Sequence, residues 1–166
     1  MMNAIRWGLT TLVVCAVALA TTTLFGEDNT AREARDRAEI EALMWKYTRA
    51  LDSGDGATYA STYTADGQFG AGGNPTKGRD SLSKLVVQRP AAGAPARPPL
   101  YHMELNHWIE FVDKDHARHH AYYITVNGAG PENAPPRIVA AGRSVDHLER
   151  VNGKWLIKTR DVAAKE

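Results

Sequence analysis

Cysteine is almost missing from this 166-residue chain, which has one, Cys15. It lies in a segment set apart from the rest, so the chain beyond residue 26 has no thiol. That excludes a disulfide framework, a thiolate nucleophile and cysteine-ligated zinc. A surplus of either charge is also missing, with 20 Lys and Arg against 19 Asp and Glu. Nucleic-acid binding needs a basic surface that neutralises phosphates, so no nucleic-acid partner is expected. There is no internal repeat. The one low-complexity stretch is RPAAGAPARPP, residues 89–99, a proline-rich loop too stiff for a helix or a central strand.

What is present begins with MMNAIRWGLTTLVVCAVALATTTLFG. One cation, Arg6, precedes an uncharged and largely apolar run from Trp7 to Phe25, with Ala18-Leu19-Ala20 as a small-x-small cleavage site. Residues 1–26 therefore read as an export signal. The rival is an uncleaved anchor, since a span needs about 20 apolar residues. Thr21 to Thr23 speak against that rival. Leu12-Val13-Val14-Cys15 is a poor lipoprotein box, because Val14 is too large. Residues 27–166 are expected to fold as one exported domain, periplasmic or secreted, touching a membrane only if the leader stays attached.

Asn29 or Thr30 can cap a first helix. Ile40, Leu43, Met44, Tyr47 and Leu51 form one apolar stripe on a 3.6-residue period, backed by Arg35, Arg37, Lys46 and Arg49. Ser53-Gly54 ends it, with Gly54 suited to a left-handed cap. A short helix over 56–63 stops before the turn pair Asp66-Gly67, and a short strand over 68–71 enters a glycine-rich loop at 70–73. A third helix over 78–88 turns Leu82, Leu85 and Val86 inward. Strands are expected at about 100–112, 117–127 and 137–151, then a hairpin at Asn152-Gly153 and a last strand over 154–162. Helices followed by an antiparallel meander make an α+β fold.

The candidate chemistry sits in two places. Asp52 falls in the last turn of the first helix, where the helix dipole disfavours a carboxylate by about 0.3–1 kcal/mol. An acid there seeks a cation or a donor. The second place is YHMELNHWIEFVDKDHARHHAYY, residues 101–123, which holds five of the six histidines. Strand parity sets His102 opposite His107, and His119 opposite His116 and His120. No spacing matches a histidine pair on a helix or a zinc finger, so no metal is expected. Most of these histidines read as outer-face residues, with one left to act as a general base.

YTRALDSGDGATYASTYTADGQF, the histidine segment and GRSVDHLERVNGKWLIKTRDV together resemble the SnoaL-like branch of the nuclear transport factor 2-like superfamily over nearly everything after residue 30. The resemblance implies a cone, in which a strongly curved antiparallel sheet wraps around three N-terminal helices and encloses a pocket. It also implies a homodimer paired through the sheet. Two enzyme groups of that superfamily, scytalone dehydratase and the hexachlorocyclohexane dehydrochlorinase, place an Asp at the end of the first long helix and a His early on a central strand. Asp52 and His102 match those positions.

The resemblance thus implies a dyad in which His102 removes a carbon-bound proton while Asp52 orients the imidazole and steadies its positive form. That chemistry needs no cofactor, since imidazole titrates near neutral pH. Arg160 matches a pocket arginine of the dehydrochlorinase and would bind an oxyanion or leaving group. Tyr47 would present its hydroxyl from the core stripe, and Tyr123, Thr125 and Asn127 share a strand face that would line the cavity, as would Arg143, Val145 and His147 on another. The sequence departs where the dehydratase has a second histidine, here Asn127, and where the dehydrochlorinase has a lysine, here Tyr47. The function so implied is a lyase or isomerase acting on a small apolar cyclic substrate. The alternative is an exported module of the same fold that binds or scaffolds without catalysis.

Overall fold

The computed structural model describes the backbone of residues 4–70, 74–86, 99–128 and 134–164, and side chains from Asn29 onward. The side chains of the cleavage motif and of Cys15, most of the glycine-rich loop, the proline-rich loop and the end of the third helix lie outside what is described. The chain divides into two compact units, residues 1–38 and 39–166. The first is helical. The second carries the end of the long helix, the other two helices and the sheet.

Helix α1, Ala4–Ser53, passes straight through the Asn29-Thr30 position instead of starting there. No proline precedes Pro75, and the only breaker in this stretch besides Gly8 is Gly26, which costs a helix no more than about 1 kcal/mol. Among the described residues no helix is long and apolar enough to cross a membrane. From residue 39 the stripe behaves as its period predicts: Ile40, Leu43, Met44 and Tyr47 are buried, Leu51 packs beside them, and Lys46 and Arg49 are exposed.

The end of α1 is a Schellman motif. Gly54 takes φ 71°, the Asp55 amide donates to Ala50 O at 3.0 Å, and the Gly54 amide donates to Leu51 O at 3.3 Å. Asp55 then caps α2, Gly56–Ser61, by accepting from the Thr58 amide. The Asp66-Gly67 pair does not end an element. It sits inside strand β1, Tyr63–Phe69, as an irregularity where the pairing register shifts between Tyr63 and Gln68. A two-residue strand β2, Thr76–Lys77, leads into α3, Arg79–Val86. Leu82 and Val86 lie inward at i and i+4, while Leu85 falls off that seam and faces solvent.

Strands β3 (Leu100–Phe111), β4 (His116–Asn127), β5 (Arg137–Val151) and β6 (Lys154–Asp161) form the expected antiparallel meander. Asn152 and Gly153, both at positive φ, close its last hairpin. The sheet order is β2-β1-β6-β5-β4-β3, and β1 joins β6 in parallel, a pairing the antiparallel reading did not contain. The pairings β1–β6, β3–β4, β4–β5 and β5–β6 each contain a register shift, and such bulges bend strands. The core packs Tyr59, Tyr63, Leu82, Leu148 and Ile157 of these elements under the α1 stripe, each worth about 1.5–3 kcal/mol of burial.

One close approach tests this packing. Gly142 on β5 stands opposite Tyr123 on β4, and a Cβ there would lie 2.7 Å from the Tyr123 hydroxyl oxygen. The ring lies across the glycine and donates to Val162 O at 3.2 Å. Gly142→Val is therefore expected to displace the Tyr123 ring and cost about 1–3 kcal/mol, read as a lower midpoint in urea unfolding. An unchanged midpoint would show that the sheet adapts freely at this point.

Candidate active site

Asp52 projects from the last turn of α1, where no basic residue offsets the negative end of the helix. Its partner comes from β3, which is the edge strand of the sheet and not a central one. His102 Nδ1 lies 2.7 Å from Asp52 Oδ1, and the His102 backbone amide donates to the same oxygen at 3.1 Å. The carboxylate thus satisfies a backbone donor of the edge strand and holds the ring at once. A carboxylate offers only acceptors, so Nδ1 is the nitrogen that donates to Asp52, and in the neutral ring the lone pair then lies on Nε2.

Tyr47, Leu51, Phe69, His102, Glu104 and Tyr123 line a hollow of about 130 Å³, together with Thr125, Arg160 and Val162. His102 and Glu104 also border a wider crevice of about 400 Å³, at the free edge of β3 against Met44, Trp45 and Thr48 of α1. Of the six residues singled out from sequence, Tyr47, His102, Tyr123 and Arg160 reach the hollow, and Asp52 stands behind His102. Asn127 does not line it. It lies two residues beyond Thr125, about 7 Å further along β4, and its Oδ1 is buried without a partner among the described residues. Arg143 and Val145 alternate with the buried Ser144 and Asp146 and face away from the core, as does the exposed His147.

Arg160 is in the wall, but its charge is already engaged. Its Nη1 donates to Asp146 Oδ2 at 2.6 Å, its Nη2 donates to Glu104 Oε1, and its guanidinium sits 4.4 Å from the Tyr47 ring centroid. Burial works against the positive charge, yet the Asp146 and Glu104 carboxylates hold Arg160 well above its ordinary range. Burial likewise pushes the Tyr47 phenol well above its usual value, and the Arg160 charge only partly offsets it. Tyr47 therefore enters the hollow as a neutral hydroxyl.

Sheet register makes this network. Arg160 on β6 pairs with Asp146 on β5, and Asp146 pairs with His119 on β4, one inward row across three strands. His119 Nδ1 lies 3.1 Å from Asp146 Oδ2 and 4.0 Å from Glu104 Oε2. His119 is thus buried at 2% exposure and is not a sheet-surface residue, whereas His116 faces solvent and hydrogen-bonds Asp113. A bulge corrects the parity of His107 as well. Asn106 (φ 48°) and His107 together oppose the single Ala121, which returns His107 to the side of His119, with ring centroids 5.7 Å apart.

Glu104, His119 and Asp146 did not stand out in the sequence as a site. The signal for Glu104 was available, since it follows His102 by two and must share its face. These three residues also form a group with metal-ligand spacing, all donor atoms within 4.8 Å. The Arg160 guanidinium already supplies positive charge to both carboxylates.

With this geometry in place, comparison with known proteins is informative. A family model described as a SnoaL-like domain matches residues 32–161. Among solved structures, a protein of unknown function from Mycobacterium tuberculosis is 24% identical, with 82% of this chain and 76% of that one covered and a TM-score of 0.69. A scytalone dehydratase candidate from Novosphingobium aromaticivorans is 22% identical, covering 80% and 85%, with a TM-score of 0.64. An NTF2-like protein with a cystatin-like fold, from the same organism, is 20% identical over 82% and 86%, with a TM-score of 0.67. No curated protein matches the chain.

Proposed function

The chain belongs to the SnoaL-like family of the nuclear transport factor 2-like superfamily, and on that footing we propose that it is a cofactor-independent lyase or isomerase acting on a small, mostly apolar cyclic substrate. The observation that carries this reading is the 2.7 Å contact between His102 Nδ1 and Asp52 Oδ1 at the wall of a partly open hollow. With Nδ1 tied to the acid, Nε2 is the free base. It takes a proton from carbon, and the C–H electron pair becomes a new π bond. In a lyase the group on the adjacent carbon then leaves with its own electron pair. In an isomerase the pair delocalises and the imidazolium returns the proton at another carbon. Both sequences balance without an external oxidant, reductant or metal. Asp52 stabilises the imidazolium as it forms, by the charge pairing that the 2.7 Å contact sets up in advance.

The hollow sets the size of the reacting part. Its volume of about 130 Å³ is close to the roughly 150 Å³ that accommodates a benzene-sized ring. Tyr47 and Tyr123 offer hydroxyls to a polar substituent. Arg160, whose terminal nitrogens are held by Glu104 and Asp146, serves by fixing Glu104 in the wall. A screen of cyclic ketones, enones and halides with native protein and with His102→Ala tests the proposal. Turnover by native protein alone is expected. Equal turnover by both would remove His102 from the chemistry, and turnover by neither would leave the same hollow as a binding site without catalysis.

The same protein is proposed to pair with a second copy. Tyr101, Met103, Leu105, Trp108, Tyr122 and Ile138 are exposed by 40–65% and fall on the outer sheet face by the register of β3, β4 and β5. A contiguous apolar patch of that kind marks an interface. Light scattering is expected to give twice the chain mass, and Trp108→Glu with Tyr122→Glu to give the monomer. A native monomer at high concentration would refute the pairing.

A further inference from the structure

His102 belongs to two cavities at once. Besides the hollow it borders the crevice of about 400 Å³ between α1 and the free edge of β3, and 25% of its side chain stays exposed. On the helix side of that crevice Glu41, Met44, Trp45 and Thr48 recur at i, i+3, i+4 and i+7, a ridge beside the core stripe. A ridge at the margin of a core is ordinarily polar, yet this one presents Trp45 at 68% exposure. The Arg49 guanidinium lies over the indole at 5.9 Å from its centroid, which leaves the opposite ring face open. On the strand side, the bulge at Asn106 brings the exposed His107 in beside His119, and both rings reach the crevice.

We propose that this crevice is an aryl-binding subsite, so that the substrate is a reactive ring carrying an aromatic substituent. This rests on the proposed function for the ring that reacts at His102, but the recognition itself does not depend on catalysis. Small-molecule sites enclose about 300–1,000 Å³. The hollow of about 130 Å³ falls short of that range, and the crevice lies within it. A substrate that reaches His102 therefore finds room for a second group in the crevice that shares this residue. The crevice wall favours an aromatic group over an alkyl one of equal size. Trp45 and His107 offer ring faces and edges, and Met44 and Met103 offer polarisable thioethers.

Trp45 is then a specificity-determining residue and takes no part in the chemistry. A substituent held away from the carbon that loses its proton is bound equally in the ground state and the transition state. Its contribution appears in KM and leaves kcat unmoved.

Titration calorimetry of native protein with cyclohexenone, its isomeric phenyl derivatives and the matching cyclohexyl derivatives tests the subsite. At least one phenyl derivative is expected to bind about 10- to 100-fold more tightly than the bare ring, the range for burying an aromatic side chain. It should bind about 2- to 10-fold more tightly than its cyclohexyl counterpart. Trp45→Ala, a change at an exposed position, should cut the phenyl advantage to less than about threefold, and Trp45→Phe should keep most of it. No phenyl advantage in native protein, or no phenyl derivative bound at all, would overturn the proposal. So would a cyclohexyl derivative binding best, or Trp45→Ala leaving the advantage intact. A lower solution mass for Trp45→Ala would also overturn it, by giving the crevice to a second copy. Turnover without a phenyl advantage removes the subsite and leaves His102 its role, whereas a phenyl advantage without turnover removes the catalytic reading and leaves the subsite.

Discussion

Arg160→Met is expected to lower the melting temperature by roughly 10–20 °C. The substitution removes the guanidinium that donates to both Asp146 and Glu104, and Asp146 is fully buried. Breaking a buried ion pair by deleting one partner costs about 3–5 kcal/mol, because the surviving charges stay desolvated without compensation. A domain of this size loses about 3–5 °C per kcal/mol. Lysine at 160 should fall between methionine and the native residue. Its single ammonium cannot reach two carboxylates with the fork that Nη1 and Nη2 provide, and it stacks less well on Tyr47. Adding Glu104→Gln and Asp146→Asn to Arg160→Met should recover a good part of the loss, since the set then carries no unbalanced charge. Differential scanning calorimetry measures all three. A fall of under about 3 °C in Arg160→Met would show that the network contributes little to stability.

The other large effect is on turnover. His102→Ala is expected to reduce kcat/KM by about 10²- to 10⁴-fold on whichever substrate the screen identifies, the usual contribution of a positioned general base. Asp52→Asn should lose nearly as much for a different reason. Asparagine retains an oxygen for the His102 backbone amide, so the edge strand stays attached, but its NH₂ can donate to Nδ1 and leave the proton on Nε2, the wrong nitrogen for a base. The double variant should be no slower than either single one, as for two residues acting as a unit. Additive losses, or an Asp52→Asn enzyme at native speed, would mean that the contact is structural and that the imidazole works unaided.

The legible parts of this protein were those governed by local periods and local backbone preference. The stripe from Ile40 to Leu51 recurs every 3.6 residues and is buried as it should be, and Gly54 and the Asn152-Gly153 pair adopt positive φ where the sequence asked for it. Asp52 and His102 could be paired from sequence only through the family resemblance, because they lie 50 residues apart. Glu104 was one step away, by simple alternation from His102. His107 misled because parity holds only until a bulge, and nothing in LNHW announces that Asn106 takes φ 48°. Asn127 and the outward Arg143 and His147 misled for a related reason, since alternation names two faces without saying where the hollow ends or which face is inside.

What the amino-acid order determined by itself was therefore the apolar stripe of α1 and its Gly54 cap, the four strands of the meander, the hairpin turn at Asn152-Gly153, and the near balance of charge. These depend on neighbours within a few residues, whose conformational costs are the same in any fold. Only the tertiary structure decided that β1 lies parallel to β6, that Arg160, Asp146 and His119 stand in one row, and that Glu104 joins that row by accepting from Arg160. Each of these follows from strand register. A slip of one residue turns every side chain to the opposite face, and only the burial of the whole sheet against α1 makes one register lower in free energy than the rest.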